Sequence, residues 1–151
     1  MTACCAICQI HADPKQISDF EICRTDLWVV RHHVAPAPLL GWLLLDTLRH
    51  CGGPVDFMEE EARSWGQAVQ QASHLVRSLT GCDRVYAIAF GEGAQHLHLH
   101  LIPRFISDTK TAAWSVADHY RAVADGHRPG VERDQVKAFV QRARLEHGFQ
   151  S

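Results

Sequence analysis

The sequence predicts an α+β fold: an antiparallel sheet with one long helix packed on a face and a C-terminal helix. Three observations carry this. β-prone runs come in neighbouring pairs around turn residues. One long stretch of three- and four-residue apolar periodicity separates those pairs. A second helical pattern closes the chain. Strand pairs joined by tight turns favour antiparallel pairing with the helices on one face. The 151 residues suit one domain spanning 1–151.

Residues 19–34 read as a hairpin, with Phe20–Cys23 and Leu27–Val30 around the turn Arg24-Thr25-Asp26. Pro36 and Pro38 then break regular structure. Gly41 to Leu48 reads as a buried strand, followed by a loop through Gly52-Gly53-Pro54. Asp56 with Glu59 matches a capping box. The helix it opens carries Ala62, Trp65, Gly66, Val69, Ala72, Leu75, Val76 and Leu79 as one stripe and stops at Gly81. Arg84 to Phe90 is strand-like, Gly91 and Gly93 make a turn, and His96 to Ile102 is the next strand, expected to end at Pro103. A short helix around Ala113–Val123 and a last one from Glu132 to Glu146, with Val136, Phe139, Val140 and Leu145 inward, complete the expectation.

Apolar residues make up 46% of the chain, charged residues 21%, and the net charge is −2. That balance argues against duplex nucleic acid, which demands many Lys/Arg–phosphate contacts; no DNA partner is expected. The longest apolar run, Ala37 to Leu45, is too short for a bilayer, so no membrane partner is expected either. The N-terminal residues do not read as a signal peptide, and the expected location is the cytoplasm. In that compartment clustered cysteines point to metal or redox chemistry more than to disulfides. Of the six cysteines, Cys23, Cys51 and Cys82 read as small buried or half-buried residues.

Eleven histidines is a high count, and three of them alternate in Gln95-His96-Leu97-His98-Leu99-His100-Leu101-Ile102. On a strand His96, His98 and His100 share one face, about 6.5–7 Å apart along it, and the leucines share the other. The leucine face buries and holds the strand rigid; the histidine face serves one cleft. Neutral imidazole is a competent nucleophile near pH 7, because its ordinary pKa is about 6.5. Attack on phosphorus gives a reactive P–N bond, and a second histidine can orient the nucleophile or assist the departing group. A metal site of the His-x-His kind is the rival reading. Among the remaining histidines, His32 and His33 either follow a strand without a role or flank a pocket, and His11, His74, His119, His127 and His147 are expected at the surface.

His-Leu-His-Leu-His-Leu-Ile followed by Pro103-Arg104 resembles the signature of the histidine-triad (HIT) family. Gly41 through His50 resembles that family's earlier strand-and-histidine segment. The resemblance implies an α+β homodimer that hydrolyses or transfers nucleotides at the α-phosphate of dinucleoside polyphosphates, nucleoside phosphoramidates or adenylylated compounds. It implies His98 as the nucleophile, through a nucleotidyl-histidine, with His100 assisting at phosphate and leaving group. Gln95, Arg104 and Trp42 join His100 as expected nucleotide or phosphate contacts. Arg104 either meets phosphate or pairs with a neighbour. Trp42 stands where many members have a fourth histidine, and it either stacks on a base or fills core.

Cys5-Ala6-Ile7-Cys8 is a Cys-x2-Cys pair, the spacing that sets two thiolates on one metal; free thiols or a redox pair are the alternatives. Cys4 is a less typical substitute ligand. Part of the HIT family carries such a pair, completed by two histidines that correspond to His50 and His96. The resemblance therefore implies a structural zinc on Cys5, Cys8, His50 and His96, and no organic cofactor. Two other functions stand beside the enzyme: a nucleotide-binding module with little turnover, and a metalloenzyme that uses the triad as ligands.

Overall fold

The computed structural model describes residues 5–149. Its sheet has five antiparallel strands: β1 (Glu21–Arg24), β2 (Trp28–His32), β3 (Leu43–Thr47), β4 (Arg84–Ile88) and β5 (His98–Arg104), in the order β1-β2-β3-β5-β4. Helices α1 (Ala6–Ala12) and α2 (Pro14–Phe20) precede the sheet, α3 (Glu59–Thr80) lies between β3 and β4, and α4 (Val116–Ala124) and α5 (Arg133–Glu146) follow it.

The main core joins one sheet face to α3 and α5: Leu43, Leu45, Leu99 and Leu101 pack with Ala72, Leu75, Val76, Val136 and Val140. Alternation turns Leu44 and Ile102 to the other face, where they cluster with Trp42 and Val116 of α4. The expectation of helices on one face is thus corrected. The helix α4, and α1 beside the histidines, occupy the second face, because β3 and β5 carry apolar residues on both sides. The sheet was expected to carry one long helix and a C-terminal helix, and α3 and α5 are these.

Several details differ from expectation. Pro103 sits inside β5, opposite Val85. Arg104 O accepts from Asp83 N on the β4 side, so Pro103 N faces the side of β3, and the β3 pairing has already ended at Leu43↔Leu101. No ladder donor is missing there. The start of α3 is held not by Asp56 and Glu59 but by Glu61, whose carboxylate accepts from Met58 N at 2.8 Å. Ala62 and Gly66 are exposed, and Glu61 and Ala68 lie buried with Ala72. At α5, Ala143 is buried and Leu145 is exposed. Gly81 ends α3 in the left-handed conformation, φ 67°, as expected.

Neither α1 nor α2 was anticipated. Helices of seven residues have no independent stability, and both are held by distant groups. Asp13 caps α2 by accepting from Lys15 N, and Arg144 of α5 donates to Ile17 O and Ser18 O at its other end.

Candidate active site

His98 and His100 lie on the second sheet face, at the start of β5. Opposite them in register stand Asp46 (facing His98) and Leu44 (facing His100) of β3. His98 Nδ1 is 2.6 Å from His96 O. A carbonyl only accepts, so Nδ1 carries a proton, and in the neutral ring Nε2 keeps its lone pair. His98 is half-buried and borders two cavities. The larger, about 610 Å³, has Arg49, His50, Gln95 and His96 in its wall. The smaller, about 190 Å³, is walled by Ile7, Ile10, Arg31, His33, His100 and Tyr120. The larger falls in the size range of small-ligand pockets.

His100 is buried. Trp42 Nε1–H donates to its Nδ1 at 2.9 Å. Its ring meets the rings of His98, Phe90, Trp42 and Tyr120 edge-on, with centroids 5.3, 5.0, 5.7 and 5.8 Å away. Burial, reinforced by His33 and His98, pushes His100 down to about 3. The ring is therefore neutral, with its proton on Nε2.

His96 belongs to a different cluster. It precedes β5, and its Nε2 lies 2.7 Å from Thr47 O. That places the proton on Nε2 and leaves Nδ1 as a lone pair facing two sulfurs, Cys5 Sγ at 3.5 Å and Cys8 Sγ at 3.4 Å. His50 Nδ1 lies 3.6 Å from Cys8 Sγ, and the four donor atoms all lie within 4.8 Å of one another. Bonds of about 2.3 Å to sulfur and about 2.0–2.1 Å to nitrogen give a tetrahedron S···N edges of about 3.5 Å. The four side chains fit one tetrahedral ion, and the tautomer of His96 is the one such an ion requires. Cys4 lies outside the described residues.

Beneath His98 is a network that sequence reasoning missed. Arg31 Nε donates to Asp46 Oδ2 at 2.6 Å, and His11 Nε2 donates to the same oxygen at 2.8 Å. Burial opposes ionisation of Asp46, but Arg31 and His11 outweigh it and hold the carboxyl below its ordinary range. An Arg and an Asp inside apolar strand runs were the available signal. His11 and His119, expected at the surface, are not there. His119 is buried between Pro38 O, 2.9 Å from its Nε2, and the Arg128 guanidinium on Nδ1. His32 is wholly buried: Nδ1 donates to His33 O, and Nε2 accepts from Gly41 N. His33 lines the smaller cavity.

Two expected nucleotide contacts lie elsewhere. Trp42 is 0% exposed, wedged among Leu44, Ile102, Val116 and Tyr120, so no base reaches its face. Its one polar atom is spent on His100. Arg104 ends β5, about 20 Å from His98 at the rise of a strand. Its Nη1 donates to Phe105 O, Asp108 O and Thr111 Oγ1, which ties down the following loop. Gln95 is exposed in the wall of the larger cavity.

No family model matches the chain, and no curated protein matches it. Solved structures do. A hypothetical histidine triad nucleotide-binding protein from Sulfolobus tokodaii superposes with a TM-score of 0.67 at 16% identity, over 93% of this chain and 90% of that one. The fold is the histidine-triad fold. A Zn-bound histidine triad family protein from Mycobacterium smegmatis gives 0.66 at 17% identity, over 94% of each chain. A histidine triad protein from Bradyrhizobium japonicum gives 0.63 at 24% identity, over 89% of this chain and 96% of that one. Among the described residues, no helix is long and apolar enough to cross a membrane.

Proposed function

We propose that the chain is a nucleotide hydrolase or nucleotidyl transferase that acts at an α-phosphate through a nucleotidyl-His98 intermediate. The observation that carries this is the ring of His98, its Nδ1–H held by His96 O and its Nε2 lone pair free beside two cavities. Attack by Nε2 forms the P–N bond, and the leaving group departs with the electron pair of the bond it had to phosphorus. Water, or another acceptor, then takes the nucleotidyl group and returns the pair to Nε2. His100 Nε2–H donates a hydrogen bond to phosphate oxygen. Dinucleoside polyphosphates and nucleoside phosphoramidates are the candidate donors. Homodimer assembly, a single-domain chain and a cytoplasmic location belong to the same proposal.

Cys5, Cys8, His50 and His96 would hold a zinc ion, which supplies a structural cross-link between the N-terminal helix and the catalytic strand. The donor set of two thiols and two imidazoles with S···N spacings of 3.4–3.6 Å supports that ion. The four converging donors do not include His98 or His100, which weighs against a catalytic metal held by the triad.

Rapid quench with diadenosine triphosphate, followed by mass spectrometry, tests the reading: an adenylyl group on His98 is expected. His98→Asn should lose about 10⁴-fold or more in cleavage while its thermal transition stays close to wild type. A variant that cleaves at the wild-type rate would rule out His98 as the nucleophile. Nucleotide binding that raises the melting temperature with neither adduct nor product would leave a binding module.

A further inference from the structure

The proton inventory of this site narrows the substrate class, if the site works through His98 as proposed. An indole N–H donates and never accepts. Trp42 Nε1–H, at 2.9 Å from His100 Nδ1, therefore keeps Nδ1 as an acceptor and the single imidazole proton on Nε2. A second proton on Nδ1 would point at the indole hydrogen. The surroundings refuse a cation as well: Phe90, Trp42 and Tyr120 surround the ring, and burial holds His100 at about 3. A neutral imidazole that gives up its only proton becomes an imidazolate, so His100 can offer a hydrogen bond but cannot hand over the proton.

The other titratable groups of the smaller cavity, and Arg49 of the larger, do not replace it. His98 is the nucleophile. His33 is neutral, its Nδ1–H on Val34 O and its pKa pushed to about 4 mainly by burial. Arg31 is held by Asp46, and Arg49 donates to both carboxylate oxygens of Glu61, at 3.0 and 2.7 Å. Guanidinium is no acid near neutral pH. Tyr120 is the remaining hydroxyl of the smaller cavity, and a phenol's ordinary pKa is about 10.

We propose that the site accepts nucleotidyl donors whose leaving group departs as a stable anion, the acid anhydrides of a nucleoside phosphate, and rejects phosphoramidates and alkyl esters, with Trp42 as the positioning residue that sets this choice. In the step, His98 Nε2 bonds to the α-phosphorus while the bond from phosphorus to the bridging oxygen breaks. The electron pair stays on that oxygen, which leaves as phosphate or carboxylate without a proton. Water then attacks phosphorus, the P–N pair returns to Nε2, and the water proton goes to solvent. An amine or alcohol would have to leave as an unstable anion, and only a proton donor could relieve that.

The test uses the purified full chain with its bound metal. Diadenosine triphosphate (a phosphoanhydride), acetyl adenylate (a carboxylic anhydride) and an adenosine 5′-phosphoramidate of an alkyl amine are compared by kcat/KM, together with substituted-phenyl esters of AMP. Both anhydrides should be cleaved, and the phosphoramidate should trail them by about 10²–10⁴-fold, the usual worth of a general acid. The phenyl esters should show a steep dependence on leaving-group pKa. In parallel, ¹⁵N NMR of labelled histidine should find His100 with one proton, on Nε2, between about pH 5 and 8, and Trp42→Phe should release it to a mixture of tautomers. Tyr120→Phe should leave the ratio of anhydride to phosphoramidate rates unchanged. Comparable rates on the phosphoramidate, a flat phenyl-ester series, or a doubly protonated His100 would overturn the inference. If only one anhydride is cleaved, the class is confined to that source. If no substrate is cleaved and His98 carries no adduct, the enzymatic reading fails, and the NMR still decides what Trp42 does to His100.

Discussion

Asp46 and Arg31 show what single residues do beneath the His98 ring. Both are almost wholly inaccessible, and Asp46 faces His98 across the β3–β5 ladder. A buried carboxylate needs a partner at close range, and Arg31 Nε at 2.6 Å is that partner. Asp46→Asn leaves the guanidinium uncompensated, so urea unfolding should show a loss of about 3–5 kcal/mol. The double variant Arg31→Met/Asp46→Leu should recover part of it, because apolar groups of similar size need no partner. A single-variant loss below about 1 kcal/mol would contradict a dry, coupled pair. At the same scale Gly41 explains how Trp42 is placed. Its φ of 82° favours glycine, its N–H donates to His32 Nε2, and a Cβ there would clash with Thr80 Cγ2.

At the scale of elements, the strands and long helices were legible because each carries its own period. The leucines of β5 and the stripe of α3 announced both their elements and the faces they bury. The two short N-terminal helices were not legible. Seven residues give too few turns for periodicity to register, and their stability comes from groups far away in the chain. For α1 those groups are the Cys5–Cys8–His50–His96 cluster and the His11–Asp46 pair. Cys5→Ser with Cys8→Ser should therefore abolish bound zinc in elemental analysis and speed amide exchange through α1 while leaving α3 protected. His98→Asn should keep its metal. Zinc retained at full stoichiometry after loss of both thiols would place the ion elsewhere.

For the whole molecule, the buried imidazoles set an acid limit. Burial pushes His32 and His33 to about 4 and His100 to about 3, against an ordinary value near 6.5. Below about pH 6.5 the unfolded chain takes up protons that the folded chain refuses, so stability is whole above that pH and falls as pH drops toward 4. Each group contributes a slope of about 1.4 kcal/mol per pH unit, and three together about 4. Urea midpoints measured from pH 7 to 4.5 should show this decline, and His32→Gln should make it shallower by about one proton. An unchanged slope in that variant would mean that His32 is charged in the folded state. The wild-type comparison cancels every effect common to both proteins.

The five strands, the two longer helices α3 and α5 and the leucine-in, histidine-out alternation of β5 are properties of local period, and the chain announces them unaided. The pairing of the Cys-x2-Cys with His50 and His96 is implied by the family resemblance, and only the folded chain brings those residues together. Which way each histidine holds its proton is not local. His98 depends on the carbonyl of His96, His96 on that of Thr47 across the sheet, and His100 on an indole 58 positions away. Trp42, open between base-stacking and core from its position alone, became a core residue with one polar duty once α4, β3 and β5 closed around it. Arg104, adjacent to the triad in sequence, was carried out of reach because a strand extends about 3.3 Å with every residue. Packing brings distant donors and acceptors together and separates near neighbours, and the chemistry of this site rests on those contacts.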